Sequence, residues 1–428
     1  MIPASQRIPS IGFALVVALV LVAIQMIAAP AAVEAQTATA GQIIISEFRL
    51  RGPGGAQDEF IEIYNASGAD HVVTSADASG GYSVAASDGV IRCFIPNGQL
   101  IPNRGHFLCV NVIAYSLSSY PAGNGTTATP DASYSADIPD NAGIALFTTQ
   151  NPANFDLAHR LDAVGSNSEA NTLYKEGTGY LALTPFSIDY SFYRDNCGKQ
   201  GIIVIFGPCP SNGLPVDTNN NLADFVFVDT NGTSAGSGQR LGAPGPENLS
   251  SPIQRNTDIP SFFLDSLRPA TTGPNRSRDQ TPDPGNNSTF GTITFRRRWT
   301  NNTGLPVSRL RFRIIDQTTF PAPAGIADMR ARFISDEALG AIIDPVTCAT
   351  TGNPATPPCN VVIFGTLPEQ PPLQPNGLAF NSTLTAPTIT LATPLAAGAS
   401  INLAFRFGLQ QTGSFKFYIN VEALTVAP

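Results

Sequence analysis

Apolar residues along this chain alternate with polar ones in short runs, and turn residues separate the runs. Successive side chains of a strand point to opposite faces, so this period is that of half-buried β-strands. No segment keeps apolar residues at helical spacing for more than about two turns. Runs of this kind stand at Ile43–Leu50, Glu59–Tyr64, Val90–Ile95, His106–Val112, Ala142–Thr148, His159–Val164, Ser187–Arg194 and Phe225–Val228. They resume at Thr292–Trp299, Val307–Ile315, Ala331–Ile334, Val361–Leu367, Thr388–Ala392, Ile401–Leu409 and Phe415–Val421. Charged residues are only 13% of the chain, against 38 Gly and 36 Pro, which suits many strands joined by turns and leaves too few charges for long amphipathic helices. The expected fold is all-β, two tandem β-sandwich domains.

Residues 1–35 have the plan of a secretory signal peptide. Arg7 is the positive residue, Ile11–Ala29 is an apolar run, and Val33-Glu34-Ala35 fits a cleavage site, which places the mature start near Gln36. The competing reading is an uncleaved anchor, since about 20 apolar residues span a bilayer. Export also fits the even number of cysteines, which fall into sequence-local pairs: Cys93 with Cys109, Cys197 with Cys209, Cys348 with Cys359. Six cysteines allow 15 connectivities, so this pairing is an expectation. No Cys-x-x-Cys or Cys/His spacing suggests a zinc site.

The segment IIISEFRLRGPGGAQDEFIEIYNAS at 43–67 is followed in order by DIPDNAGIALF, LDAVG, YKEGTG, YSFYRDNCG, DTNNNLADFVF and LGAPGPEN. Residues 41–248 thereby resemble the lamin-tail domain of exported bacterial proteins. The resemblance implies an immunoglobulin-like β-sandwich and no single function, because such modules accompany exported enzymes or stand alone. Residues 249–290 read as a linker or an edge excursion. Residues 291–428 read as a second β-sandwich, similar to sandwiches at the C-termini of exported bacterial proteins.

Several constellations invite a chemical reading. Gly232-Thr233-Ser234-Ala235-Gly236 matches a nucleophile elbow, but the glycines that follow cannot form the helix it needs and no histidine follows it. His71, His106 and His159 are the only histidines, each read as a surface or satisfied strand residue. Asp58, Glu59 and Glu62 could do acid/base work, although a solvated turn is the commoner meaning. Asp217, Asn219, Asn221 and Asp224 have a spacing that can wrap calcium, or can simply build Asx turns. Asn301-Asn302-Thr303-Gly304 predicts a hairpin joining the runs at 292 and 307. That hairpin would place Arg296, Arg298, Arg309, Arg311 and Arg313 on one sheet face, a patch suited to an anionic polymer or envelope component, or a face paired with the chain's own carboxylates. Sequons at Asn65, Asn124, Asn231, Asn248, Asn275 and Asn381 arise readily in a chain this rich in Asn and Thr.

The expectation is an exported, non-catalytic binding or surface-structural protein with no obligatory cofactor. Its alternative is an accessory or catalytic component of an extracellular hydrolase system. An enzyme would need acid, base or metal groups converging in an open cleft, whereas a binding module needs only a surface.

Overall fold

The computed structural model describes residues 37–123, 126–183, 187–198, 206–232, 240–349, 356–370 and 380–426. The leader, Asn124, and all but Gly232 of the elbow-like segment lie outside them. Among the described residues no helix is long and apolar enough to cross a membrane. The fold is all-β. The described residues fall in one compact unit, built on four main sheets.

Sheet I has four strands, in the order Arg160–Val164, Ile144–Phe147, Gly81–Ala86, Ile91–Pro96. Sheet II has seven: Ala132–Tyr134, His106–Asn111, Phe60–Asn65, Ile43–Arg49, Tyr190–Arg194, Phe225–Asp229, Arg240–Leu241. Sheet III has five: Ile253–Gln254, Phe417–Thr425, Val307–Gln317, Thr383–Thr385, Leu367–Gln370. Sheet IV has seven. Ser261–Phe263, Thr292–Thr300, Ser400–Gln411, Cys359–Gly365 and Glu337–Ile342 follow in order, with Arg276–Asp279 and Asp328–Arg332 paired beside them.

Each sheet pair encloses its own core. Phe48, Ile61, Phe107, Phe192 and Phe227 of sheet II meet Tyr82, Val84, Ile95 and Leu146 of sheet I. Phe312, Leu310 and Ile314 of sheet III meet Phe295, Trp299, Phe405 and Phe407 of sheet IV. The two sandwiches then stack through sheets II and III, giving four layers. Phe380, from the second sandwich, packs with Tyr193, Val226 and Val228 on the outer side of sheet II. Sheet II is therefore covered on both faces, which explains the unbroken run Ile43-Ile44-Ile45 in its central strand. A register shift between Ile45 and Glu47 resets that strand's parity. Ile43, Ile45 and Phe48 point into the core, and Glu47 turns away from it toward sheet III.

Residues 249–290 pair along the second sandwich: Ile253–Gln254 with Phe417–Thr425, and both Ser261–Phe263 and Arg276–Asp279 with Thr292–Thr300. The predicted hairpin at 301–304 is corrected. Thr292–Thr300 belongs to sheet IV and Val307–Gln317 to sheet III, so the turn arches between sheets instead of joining neighbours in one. The reason lies in Asn301, whose amide donates to the carbonyls of Leu305 and Leu395 at 2.8 and 2.9 Å and ties the arch to a third segment. Asn65 does the same in the first sandwich, donating to Ala69 and Ile101, both at 2.8 Å. Asn65, Asn275, Asn301 and Asn381 are fully buried, so these sequons are structural amides. The run Thr388–Ala392 is a turn, not a strand; Pro387 and Pro394 bracket it and Thr390 and Thr393 bond each other.

The cysteines pair locally: Cys93–Cys109, Cys197–Cys209 and Cys348–Cys359. The last closes a separation of 11 residues within a small satellite core of Leu264, Ile334, Ile342, Val361 and Ile363. Cys348→Ala with Cys359→Ala is expected to cost about 3 kcal/mol, read as a lower urea midpoint of the purified chain. An unchanged midpoint would contradict this.

Candidate functional site

Alternation along Val307–Gln317 sends Leu310, Phe312 and Ile314 into the core and Arg309, Arg311 and Arg313 to the opposite face. That face is not a surface. The outer side of sheet II lies against it, and Arg311 and Arg313 are almost wholly buried. Arg311 donates to the carbonyl of Ala122 at 3.1 Å and stands 3.4 Å from Glu247 and 3.5 Å from Glu369. Arg309 also pairs with Glu369. Arg313 donates to the carbonyl of Gly245 at 2.8 Å and to the Tyr193 hydroxyl at 3.3 Å. It lies 3.9 Å from both Glu247 and Glu422.

Sheet II answers with Glu47, Glu62 and His106. The His106 ring is held at both ends, Nδ1 to Glu62 at 3.0 Å and Nε2 to Glu247 at 2.9 Å, with the Tyr64 ring edge-on at 5.2 Å. Glu62 also accepts from the backbone N–H of Glu247 at 2.7 Å and from the Ser46 hydroxyl. Glu47 accepts from Ser191 at 2.7 Å and from the Gly245 N–H at 2.8 Å. The segment Gly245-Pro246-Glu247 is thus threaded between the sheets and read by both.

The electrostatics follow from burial and neighbours. Burial opposes a charge on His106, but Glu247 and Glu62 outweigh it and push its pKa up to about 10, so it is an imidazolium at neutral pH. Burial works against Glu247 too, yet Arg313 and His106 hold it well below the usual carboxylate range. Burial, with Glu62 adding to it, pushes Glu47 up to about 8. Burial and then Glu247 push Glu422 up as well. Five carboxyls (Glu47, Glu62, Glu247, Glu369, Glu422) meet four cations (His106, Arg309, Arg311, Arg313), and burial favours the protonated form of Glu47 and Glu422.

The cavity here, lined by Glu62, Tyr64, His106, Glu247, Arg313 and Glu422 among others, measures about 20 Å³. That is room for about one water, while substrates occupy pockets of roughly 300–1,000 Å³. The arrangement binds two sandwiches together; beside it an open pocket of about 580 Å³ lies between them, lined by Arg104, Cys209, Leu214, Thr257, Ile315 and Tyr418 among others.

The five-arginine patch is therefore corrected. Arg309, Arg311 and Arg313 form part of this buried layer. Arg296 and Arg298 are on sheet IV, separated from the others by the second core. Arg296 pairs with Glu337 at 2.6 Å, and Arg298 lies over the Phe262 ring at 5.0 Å. Asp58, Glu59 and Glu62 are corrected as well, being buried instead of solvated. Asp58 pairs with Arg49, and Glu59 accepts from the Ile138 N–H at 2.7 Å and Asn111 at 2.9 Å. They serve separate partners and do not converge. His71 meets the Tyr82 hydroxyl at 3.2 Å and His159 meets Asp156 at 2.8 Å, and the two stand apart from the His106 cluster.

The loop carrying Asp217, Asn219, Asn221 and Asp224 does not wrap a common centre. Asn221 spends its side chain on the N–H groups of Gly165 and Glu176, at 3.0 and 2.9 Å, and on the carbonyl of Ala163 at 2.8 Å. Asp224 accepts from Thr218 N–H at 2.9 Å and its hydroxyl at 2.7 Å. The Asn219 N–H donates to Asp217 at 3.1 Å, an Asx turn.

An open polar groove of about 410 Å³ lies on the outer face of sheet IV. Arg278, Arg296, Arg332 and Arg406 line it, with Asp279, Asp283 and Glu337 between them. Arg406 and Arg332 keep 33% and 25% of their side chains exposed, and Arg278 is exposed too. Comparison with known protein families, with curated proteins and with solved structures finds no match.

Proposed function

We propose that this is an exported, non-catalytic protein of the binding or surface-structural kind, carrying a lamin-tail-like module at residues 41–248. The leader at 1–35 and the three disulfides support an oxidising destination outside the cytoplasm. The observation that carries the reading is where the ionisable groups stand. His106, with Glu62 and Glu247, is buried between sheets II and III and ion-paired at both ring nitrogens. A polar surface that solvent reaches is the guanidinium-lined groove of sheet IV, suited to the sulfates or carboxylates of an anionic polymer.

The net charge of −8 means that bulk attraction to a polyanion is not expected, so retention would come from that groove. The mature chain should be held on heparin at low salt and released as salt rises. Arg278→Ala with Arg406→Ala should abolish retention while leaving the melting temperature within about 2 °C, as surface substitutions do. Free passage of the parent chain, or equal retention of the variant, would reject the groove as the binding surface.

A further inference from the structure

A second ionic cluster lies at the other side of sheet II, at one end of the first core. We propose that Asp162, Glu176 and Asp217 hold a divalent cation of calcium's size, a site independent of the sheet IV groove. One oxygen from each of the three lies within 4.8 Å of the others. Calcium takes oxygens at about 2.4 Å, so two oxygens on one ion stand at most about 4.8 Å apart. The donors are fixed before any ion arrives. Asp162, on a sheet I strand, accepts from the N–H groups of Ile45 and Ala163 at 2.6 and 2.8 Å. Asp217 is set by its Asx turn at 3.1 Å, and the Glu176 backbone is held by Asn221 at 2.9 Å.

Independently of the acidic grouping, the Glu176 side chain is only 4% exposed, and its Oε2 finds no hydrogen-bond donor among the described residues. Its other oxygen has Arg160 alone, at 3.4 Å. A buried oxygen without a donor is costly, and a cation is the partner that would satisfy it. Charge points the same way. Arg194 stands 2.8 Å from Asp162, 3.5 Å from Asp217 and 3.6 Å from Asp224, so Arg194 and Arg160 face four carboxyls and leave two negative charges over. The Asp217 side chain is 15% exposed, which opens the site to waters that complete the shell. An all-oxygen, irregular donor set favours calcium over zinc, which prefers nitrogen and sulfur, and over magnesium, which demands a regular octahedron.

The test is calorimetric titration of the chelator-treated mature chain with calcium chloride, with melting followed in parallel. A saturable site with Kd of about 10⁻⁴–10⁻³ M is expected, the range of extracellular calcium modules, together with a rise in melting temperature. Glu176→Gln should weaken binding at least about tenfold, while Asp336→Asn, at an exposed position of the second sandwich, should leave it unchanged; should Glu176→Gln not fold, Asp217→Asn replaces it. Absence of both heat and thermal shift up to about 10 mM calcium, or undiminished binding by the variant, would overturn the site.

Discussion

Arg313→Ala is expected to destabilise the protein by about 3–5 kcal/mol, the cost of breaking a buried ion pair from one side. Arg313 is the guanidinium that faces Glu247 and Glu422 together and donates to Gly245 and Tyr193. Without it, carboxyls remain in a sealed layer with His106 and Arg311 as their nearest cations. Against a total stability of about 5–15 kcal/mol, such a loss is large. It should appear as a fall in the denaturant midpoint, and removing Glu47 as well, by Glu47→Gln, should add nothing, because that group is protonated already. A loss below about 1 kcal/mol for Arg313→Ala would mean that the layer is hydrated and not sealed.

The second large effect is on pH. His106 is faced by Glu62 on the neighbouring strand, by Glu247 from the threaded segment, and at longer range by Glu422 and Asp131. Its folded pKa of about 10 lies above its ordinary value of 6.5. The contribution is therefore complete below about pH 6.5 and is lost as pH climbs to about 10, up to about 5 kcal/mol at about 1.4 kcal/mol per tenfold. Glu47 and Glu422, both raised by burial, lose stability in the same upward direction, starting above their ordinary 4.5. Glu247, held low, works oppositely: its contribution is present above about 4.5 and is lost as pH falls further. Stability should peak in mildly acid solution and decline steadily toward pH 10. In His106→Gln the decline between pH 6.5 and 10 should flatten; an equally steep profile in that variant would remove His106 as its cause.

Much of this architecture was legible in the residues. The period of two gave the strands. Along Val307–Gln317 it also gave the side of the strand on which Arg309, Arg311 and Arg313 stand. What covers that side was not legible, because a period states which face is polar and not whether water or another sheet meets it. The same limit hid the split between Arg296 and Arg313. Asn301-Asn302-Thr303-Gly304 announces a reversal of the chain, but an arch between sheets and a hairpin within one use the same turn residues. The arch is decided by Asn301 reaching Leu395, 94 positions away. Glu247 escaped notice for a related reason. It sits in Gly245-Pro246-Glu247, a loop by composition, and only the stacking of sheets II and III turns that loop into a buried connector. One signal was available: Glu47 and Glu62, like Arg309, Arg311 and Arg313, alternate with core residues, and acids on one run of strands with arginines on another call for each other as partners. The calcium-like spacing at 217–224 misled because its oxygens are consumed locally, while Asp162 and Glu176, distant in sequence, bring the convergent oxygens.

The central claim is that a buried ionic layer makes two sandwiches one cooperative unit. Differential scanning calorimetry of the mature chain near pH 6 tests it directly. A single transition, with calorimetric and van't Hoff enthalpies equal, is the predicted result. Two resolved transitions, one per sandwich and unaffected by Arg313→Ala, would contradict it.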